Sequence, residues 1–232
     1  MKKIYLLIGA LACAFAACDS GDIYPADRTN KGDNIAVAVS FRLSARDKIP
    51  AGYSLVFGAF EENSSSPLVW TSVMETAGDE PVRVSLSSVP KAARTVKLSL
   101  FTVGRKAIYD FYTFDISTAL EAIEIPLTDV SLLLKYNKIQ EIFGKNCTAC
   151  HGTERGGGGL LLGDGVSYAA LVNQAATNSE KVRVEPYSVQ NSFLMDVLTD
   201  EAIKLSQPHS TILYADDINL LKAWIAAGAE HN

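Results

Sequence analysis

Residues 139–152 read Ile139-Gln140-Glu141-Ile142-Phe143-Gly144-Lys145-Asn146-Cys147-Thr148-Ala149-Cys150-His151-Gly152, and this stretch decides how the chain is understood. Leu132, Lys135, Ile139, Ile142 and Phe143 fall at helical spacing, so a helix runs up to Gly144 and ends before Cys147. Directly after it come two thiols three residues apart, with a histidine following the second. A redox dithiol of thioredoxin type calls for a preceding strand and a βαβ setting, whereas a helix precedes here. A zinc site calls for four ligands, but Cys150 and His151 are adjacent and the whole chain holds 3 histidines. The remaining chemistry is covalent haem attachment. Cys147 and Cys150 stand at the offset that forms thioethers with two vinyl groups on one porphyrin edge, and His151 then turns its ring under the iron as proximal ligand.

Further pieces follow in order: Gly158-Gly159-Leu160-x-Leu162, then Asn191-Ser192-Phe193-Leu194, then Ile218-x-x-Leu221-x-x-Trp224-Ile225-x-x-Gly228-Ala229. Ser192 to Leu198 and Asp216 to Ala227 carry helical periodicity. Asp216 and Asp217 sit in a first turn, where acidic groups suit the helix dipole, and Gly228 stands where a C-cap belongs. With Ile139, Phe143 and the Cys147-x-x-Cys150-His151-Gly152 motif, this order resembles the single-haem domains of class I cytochrome c that are appended to exported bacterial proteins. The resemblance implies an all-α cytochrome c-like domain over 131–230, one covalent haem c, and Phe143 packed on Trp224 beside it. It also marks a departure. The family places a Met-Pro dipeptide before the last helix, its sulfur being the second axial ligand; here the dipeptide is Gln207-Pro208, followed by His209. His209 can complete a bis-histidine iron, Gln207 can ligate through its side-chain oxygen, or the position can stay open. Met195 lies in an apolar helical run and reads as core.

Ahead of this region the period changes to two. Val37, Val39, Phe41 and Leu43 share one strand face, as do Tyr53, Leu55 and Phe57, then Val82, Val84 and Leu86, then Val96, Leu98 and Leu100. Ile108 to Ile116 is aromatic and β-branched. Turn chemistry at Ile49-Pro50-Ala51-Gly52, Asn63 to Pro67, Ala77 to Pro81 and Val89-Pro90 separates these runs. Six to eight such strands, by rough count, predict an antiparallel sandwich of immunoglobulin-like appearance over 34–128.

The N-terminus reads as an export signal over residues 1–17, with Lys2 and Lys3 before an apolar run from Ile4 to Ala17. Phe15-Ala16-Ala17-Cys18 resembles a lipobox, with Phe15 where Leu is usual, and implies lipidation at Cys18. Residues 18–33 are polar and form a tether. Of 4 cysteines, Cys13 falls inside the signal and Cys18 carries lipid, so only the haem motif remains. With 21 basic and 26 acidic residues and no basic run, nucleic-acid binding is not expected. The expectation is a lipid-anchored electron carrier of the cell envelope, on the outer membrane facing periplasm or cell surface, exchanging electrons with a partner protein. No acid, base or nucleophile cluster indicates an enzyme. Two alternatives are a ligand sensor or weak peroxidase with an open distal site, and a binding module whose sandwich has a redox accessory.

Overall fold

The computed structural model of the chain describes residues 34–73, 80–203, 205 and 207–232. The signal segment, Cys18 and the tether lie outside the described residues. From Asn34 onward the chain is one compact unit. Its strands are β1 (Asn34–Ser44), β2 (Ser54–Phe60), β3 (Val69–Ser72), β4 (Val82–Pro90), β5 (Thr95–Phe101), β6 (Ala107–Asp115) and β7 (Ile123–Ser131). Its helices are α1 (Tyr136–Asn146), α2 (Ser167–Leu171), α3 (Phe193–Thr199) and α4 (Ala215–Ala226).

The strands form two sheets, one ordered β4-β1-β7 and the other β3-β2-β5-β6. Alternation explains why they face each other. Val37, Val39 and Phe41 of β1 are wholly buried, as are Phe57 and Ala59 of β2 and Val96 and Leu98 of β5, and all belong to one core. Phe41 bridges the sheets, its ring edge-on to Phe57 at 5.8 Å and to Tyr112 at 5.4 Å. The outer face of β2 is covered too, because the loop before β3 folds back over it. Gly58 lies beneath that loop, where a Cβ would stand 3.1 Å from the Pro67 side chain.

The expected fold class needs correction in both halves. The sandwich is not wholly antiparallel: β1 pairs antiparallel with β4 but parallel with β7. β7 itself crosses the point where helical periodicity was expected to begin, and Leu132, assigned to a helix, instead packs in the sandwich core. Nor is the C-terminal region all-α. Its four helices have 11, 5, 7 and 12 residues, and much of the chain between them is loop. Isolated bridges such as Val172↔Val184, Ala175↔Val182 and Val182↔Ser192 tie those loops together. The physical reason is composition: residues 152–165 are dense in glycine, which loses the most freedom on entering a helix.

The C-terminal region rests on one end of the second sheet. Leu100 of β5 is fully buried in the same cluster as Phe143, Leu221 and Trp224, and Tyr53, Ile108, Tyr109 and Phe111 pack against it. The Tyr53 hydroxyl donates to the Asn219 carbonyl at 3.2 Å, and Lys106 pairs with Asp216 at 3.1 Å. Lys48 reaches Glu230 and the Tyr187 hydroxyl; the Glu230 carboxylate and then that hydroxyl hold its ammonium above the ordinary lysine value.

Candidate functional site

The buried stripe of α1, Tyr136, Ile139, Ile142 and Phe143, fixes the helix against the C-terminal core and so aims its last turn. A helix end leaves carbonyls without intrahelical partners, and here side chains and the following turn satisfy them. Asn146 Nδ2 donates to Ile142 O at 2.9 Å, the Cys147 and Thr148 amides both reach Phe143 O, and Thr148 Oγ1 donates to Gly144 O at 2.9 Å. The Cys147 carbonyl then accepts from Cys150 N at 3.1 Å and His151 N at 2.9 Å. The motif therefore continues as a tight turn straight off the helix. Both thiols are free, with Cys147 half-buried and Cys150 exposed. Burial pushes the Cys147 thiol up to about 11, so it is protonated near neutral pH.

The glycine loop closes on this turn. His151 bridges to Gly156, and the Leu162 amide donates to His151 O at 2.8 Å. Gly156 cannot carry a side chain, because its Cβ would lie 1.7 Å from Leu160 O. That close approach lets the Leu160 carbonyl meet the His151 ring, with Nδ1 to O at 3.1 Å. A carbonyl only accepts, so Nδ1 carries a hydrogen, and Nε2 is left without a hydrogen-bond partner among the described residues. Gly157 leaves the ring edge bare: a Cβ there would be 3.4 Å from His151 Cε1 and 4.0 Å from Nε2. Two free thiols and a ring nitrogen without a partner are the donor set that a covalently held haem requires, and Gly157 keeps the edge beside that nitrogen clear of a side chain. Among the described residues no group of three or more His, Cys, Asp or Glu could hold a bare metal ion.

The other residues singled out in the sequence are placed as follows. His209 is half-buried, with its ring centre 6.1 Å from that of His151 and the planes at 49°. Gln207 is exposed, and its backbone carbonyl receives the His209 Nδ1 hydrogen bond at 2.8 Å. Met195 is buried on α3 among Leu194 and Leu198. Phe143 and Trp224 are both buried in one cluster. Gly228, at φ 113°, closes α4: its amide and that of Ala229 return to Ile225 O and Trp224 O.

Some contributors have no signature in the sequence. The Leu160 carbonyl acts through backbone geometry alone. Tyr136 joins its hydroxyl to Ser167 Oγ at 2.6 Å, Ser167 bonds Gln140, and Gln140 Nε2 donates to Leu162 O at 2.9 Å. This chain of bonds links α1 to the loop that carries Leu160. A groove of about 1160 Å³ runs along that side of α1, past Gln140, Thr148, Tyr168 and His231; neither cysteine of the motif lines it, nor do His151 and His209. It borders the motif turn through Thr148 and Gly152 without being lined by the thiols or either imidazole.

No helix of the described residues is long and apolar enough to cross a membrane. Among solved structures, the chain is similar to Kuenenia stuttgartiensis Hydrazine Synthase at 12% identity and a TM-score of 0.32, over 88% of this chain and 44% of that one. The chain thus spans less than half the length of that structure. No curated protein matches the sequence. The sequence model of the Cytochrome c family matches residues 136–228, which begin with α1 and end just past α4. This C-terminal stretch is a c-type cytochrome domain, the kind that carries a covalently attached haem c and serves haem-based electron transfer.

Proposed function

We propose that the chain is an extracytoplasmic, lipid-anchored electron carrier, with one haem joined to Cys147 and Cys150 and ligated by His151. The observation that carries this reading is the His151 ring held by Leu160 O with Nε2 free, immediately after two unpaired thiols on one turn. Each thiol adds across a vinyl group: a sulfur–carbon bond forms, the thiol hydrogen ends on the neighbouring carbon, and nothing is oxidised. The bound group supplies a reversible ferric/ferrous couple. The protein's own residues set the conditions for it. The Leu160 carbonyl makes Nε2 more basic and so favours the ferric state. Phe143, Leu171, Leu221 and Trp224 exclude water from the core beneath. Cys150 is exposed, which puts one attachment point at the surface, where a partner protein can approach.

The anchor is the acylated Cys18, after the apolar run 4–17, and the strand region stands next in the chain between anchor and haem. The direct test is denaturing electrophoresis followed by haem staining. The wild type keeps its stain, because thioethers do not dissociate, and Cys147→Ala with Cys150→Ala loses it; full staining of the double variant overturns the assignment. For the anchor, Cys18→Ser is expected to be exported but released from membranes. If it still pellets after a high-salt wash, lipidation at Cys18 is wrong.

A further inference from the structure

Two histidines with neighbouring rings belong to different ends of the cytochrome segment, one on the motif turn and one in the loop before α4. Their ring centres are 6.1 Å apart. Each ring is anchored in the same way, Nδ1 of His151 on Leu160 O and Nδ1 of His209 on Gln207 O. Both carbonyls can only accept, so in both rings Nδ1 is the donor, leaving Nε2 as the atom available to a ligand. Neither Nε2 has a hydrogen-bond partner among the described residues. The two half-buried imidazoles are near enough to be ring neighbours, yet no hydrogen bond joins them.

The separation does fit something between them. Imidazole–metal bonds run about 2.0–2.1 Å. The centre of a five-membered ring with bonds of about 1.35 Å lies roughly 1.15 Å from each ring atom. One metal ion taking both Nε2 atoms in line therefore sets the ring centres about 6.3–6.5 Å apart, close to the 6.1 Å found. The competing residues are placed less well. Gln207 is exposed and is engaged through its main chain, and Met195 is buried on α3 among apolar neighbours.

We infer that His209 is the second axial ligand, so that the haem iron is held between two imidazoles. This rests on the haem reading above and extends it to the opposite face. The backbone anchor at Gln207 O gives His209 the same raised basicity that Leu160 O gives His151. Two such donors favour ferric over ferrous iron, which lowers the potential relative to a histidine–thioether pair. They also leave no open position for an added ligand.

The test uses purified holoprotein: ferric absorption and electron paramagnetic resonance, and the reduced spectrum with and without carbon monoxide. The wild type is expected to be low-spin when oxidised and unreactive to carbon monoxide when reduced. His209→Ala is expected to become high-spin and to bind carbon monoxide, and added imidazole returns it to low spin. A merely destabilised variant would not recover with imidazole. His209→Met keeps the iron low-spin, adds a sulfur-to-iron band at the red edge and raises the midpoint potential. Gln207→Ala, which retains the backbone carbonyl, leaves all three readouts as in wild type. A wild type that binds carbon monoxide, or a His209→Ala variant with an unchanged low-spin spectrum, overturns the inference. Haem staining on the same samples separates the two levels. Stained wild type with a silent His209→Ala sinks only the ligand assignment, whereas unstained wild type sinks the haem reading itself.

Discussion

The strand region and the cytochrome segment are stabilised in different ways. Between β1 and β7, main-chain partners are supplied by neighbouring strands, and alternate side chains from Val37 to Val130 fill one core. From α1 onward, regular structure is short, and α1, α2 and α3 fall below the roughly 12–15 residues at which even a good isolated helix becomes stable. There the chain is held by single bonds between loops, by a few large buried side chains, and by whatever the two thiols and His151 hold. Periodic pairing makes a scaffold whose parts are interchangeable; the cytochrome segment has positions that admit one residue only.

The largest expected effect tests whether the two cores are separable. Phe41→Ala and Trp224→Ala each remove a buried aromatic ring, and each should cost about 3–5 kcal/mol. Unfolding followed in parallel by far-ultraviolet circular dichroism and haem absorption should tell them apart. Phe41→Ala lowers stability and leaves the haem bands where they were. Trp224→Ala lowers stability and also shifts them, since Trp224 shares its cluster with Phe143 and Cys147. Leu100 and the packing of Tyr53, Tyr109 and Phe111 provide the route by which the cores could be coupled. Haem bands that move equally in both variants would show that they are.

A smaller effect comes from one glycine in each region. Gly156 is in an extended conformation that any residue adopts, so its backbone is not the obstacle. The obstacle is Leu160 O, 1.7 Å from the absent Cβ and part of the main chain. Gly156→Ala must push Leu160 O away from His151 Nδ1, at about 1–3 kcal/mol for overpacking. With the anchor weakened, Nε2 is less basic and the midpoint potential rises. Gly58→Ala meets side-chain atoms of Pro67, Phe60 and Trp70 at 3.1–3.3 Å, which need give only a few tenths of an ångström. It should be near neutral in thermal melting and silent at the haem. A potential unmoved by Gly156→Ala would mean that Leu160 O does not tune His151.

What the sequence discloses follows the same division. β1, β2, β4 and β5 are legible because one face of each is buried and the alternation is clean. β7 is hidden by its own irregularity. Opposite Val39 and Phe41 its partners jump from Ile125 to Thr128, a bulge at Pro126 and Leu127 that flips the phase. Ile125 is buried before it, and Val130 and Leu132 after it, so no single period spans the strand. β3 has only four residues, too few for a pattern. In the cytochrome segment the cysteines and His151 announce themselves by spacing, and α1 and α4 by their stripes. The anchors of the two histidines do not, because Leu160 and Gln207 act through carbonyls that every residue has.

The smallest effect is a pH dependence that belongs to the cytochrome segment. Tyr136 is buried and its phenol is pushed up to about 12, chiefly by loss of hydration, against a downward pull from the Ser167 hydrogen bond; Tyr168 and Asp164 add to the rise. In the unfolded chain the same phenol ionises near its ordinary value of about 10. A group whose folded pKa is raised keeps its proton longer in the native state, so its contribution is fully present below pH 10. It is lost as pH climbs from about 10 to about 12, where the unfolded form alone sheds the proton. Tyr136→Phe removes that dependence and also one hydrogen bond to Ser167, worth about 1 kcal/mol. The variant should therefore be slightly less stable than wild type at pH 8, with a shallower decline above pH 10, as read from urea midpoints of the haem band across that range. Tyr53 and Tyr109 are raised by burial as well and remain in both proteins, so the difference between the two curves isolates Tyr136. If the curves run parallel through pH 12, the Tyr136–Ser167–Gln140 chain is not the structural link between α1 and the Leu160 loop that its geometry describes.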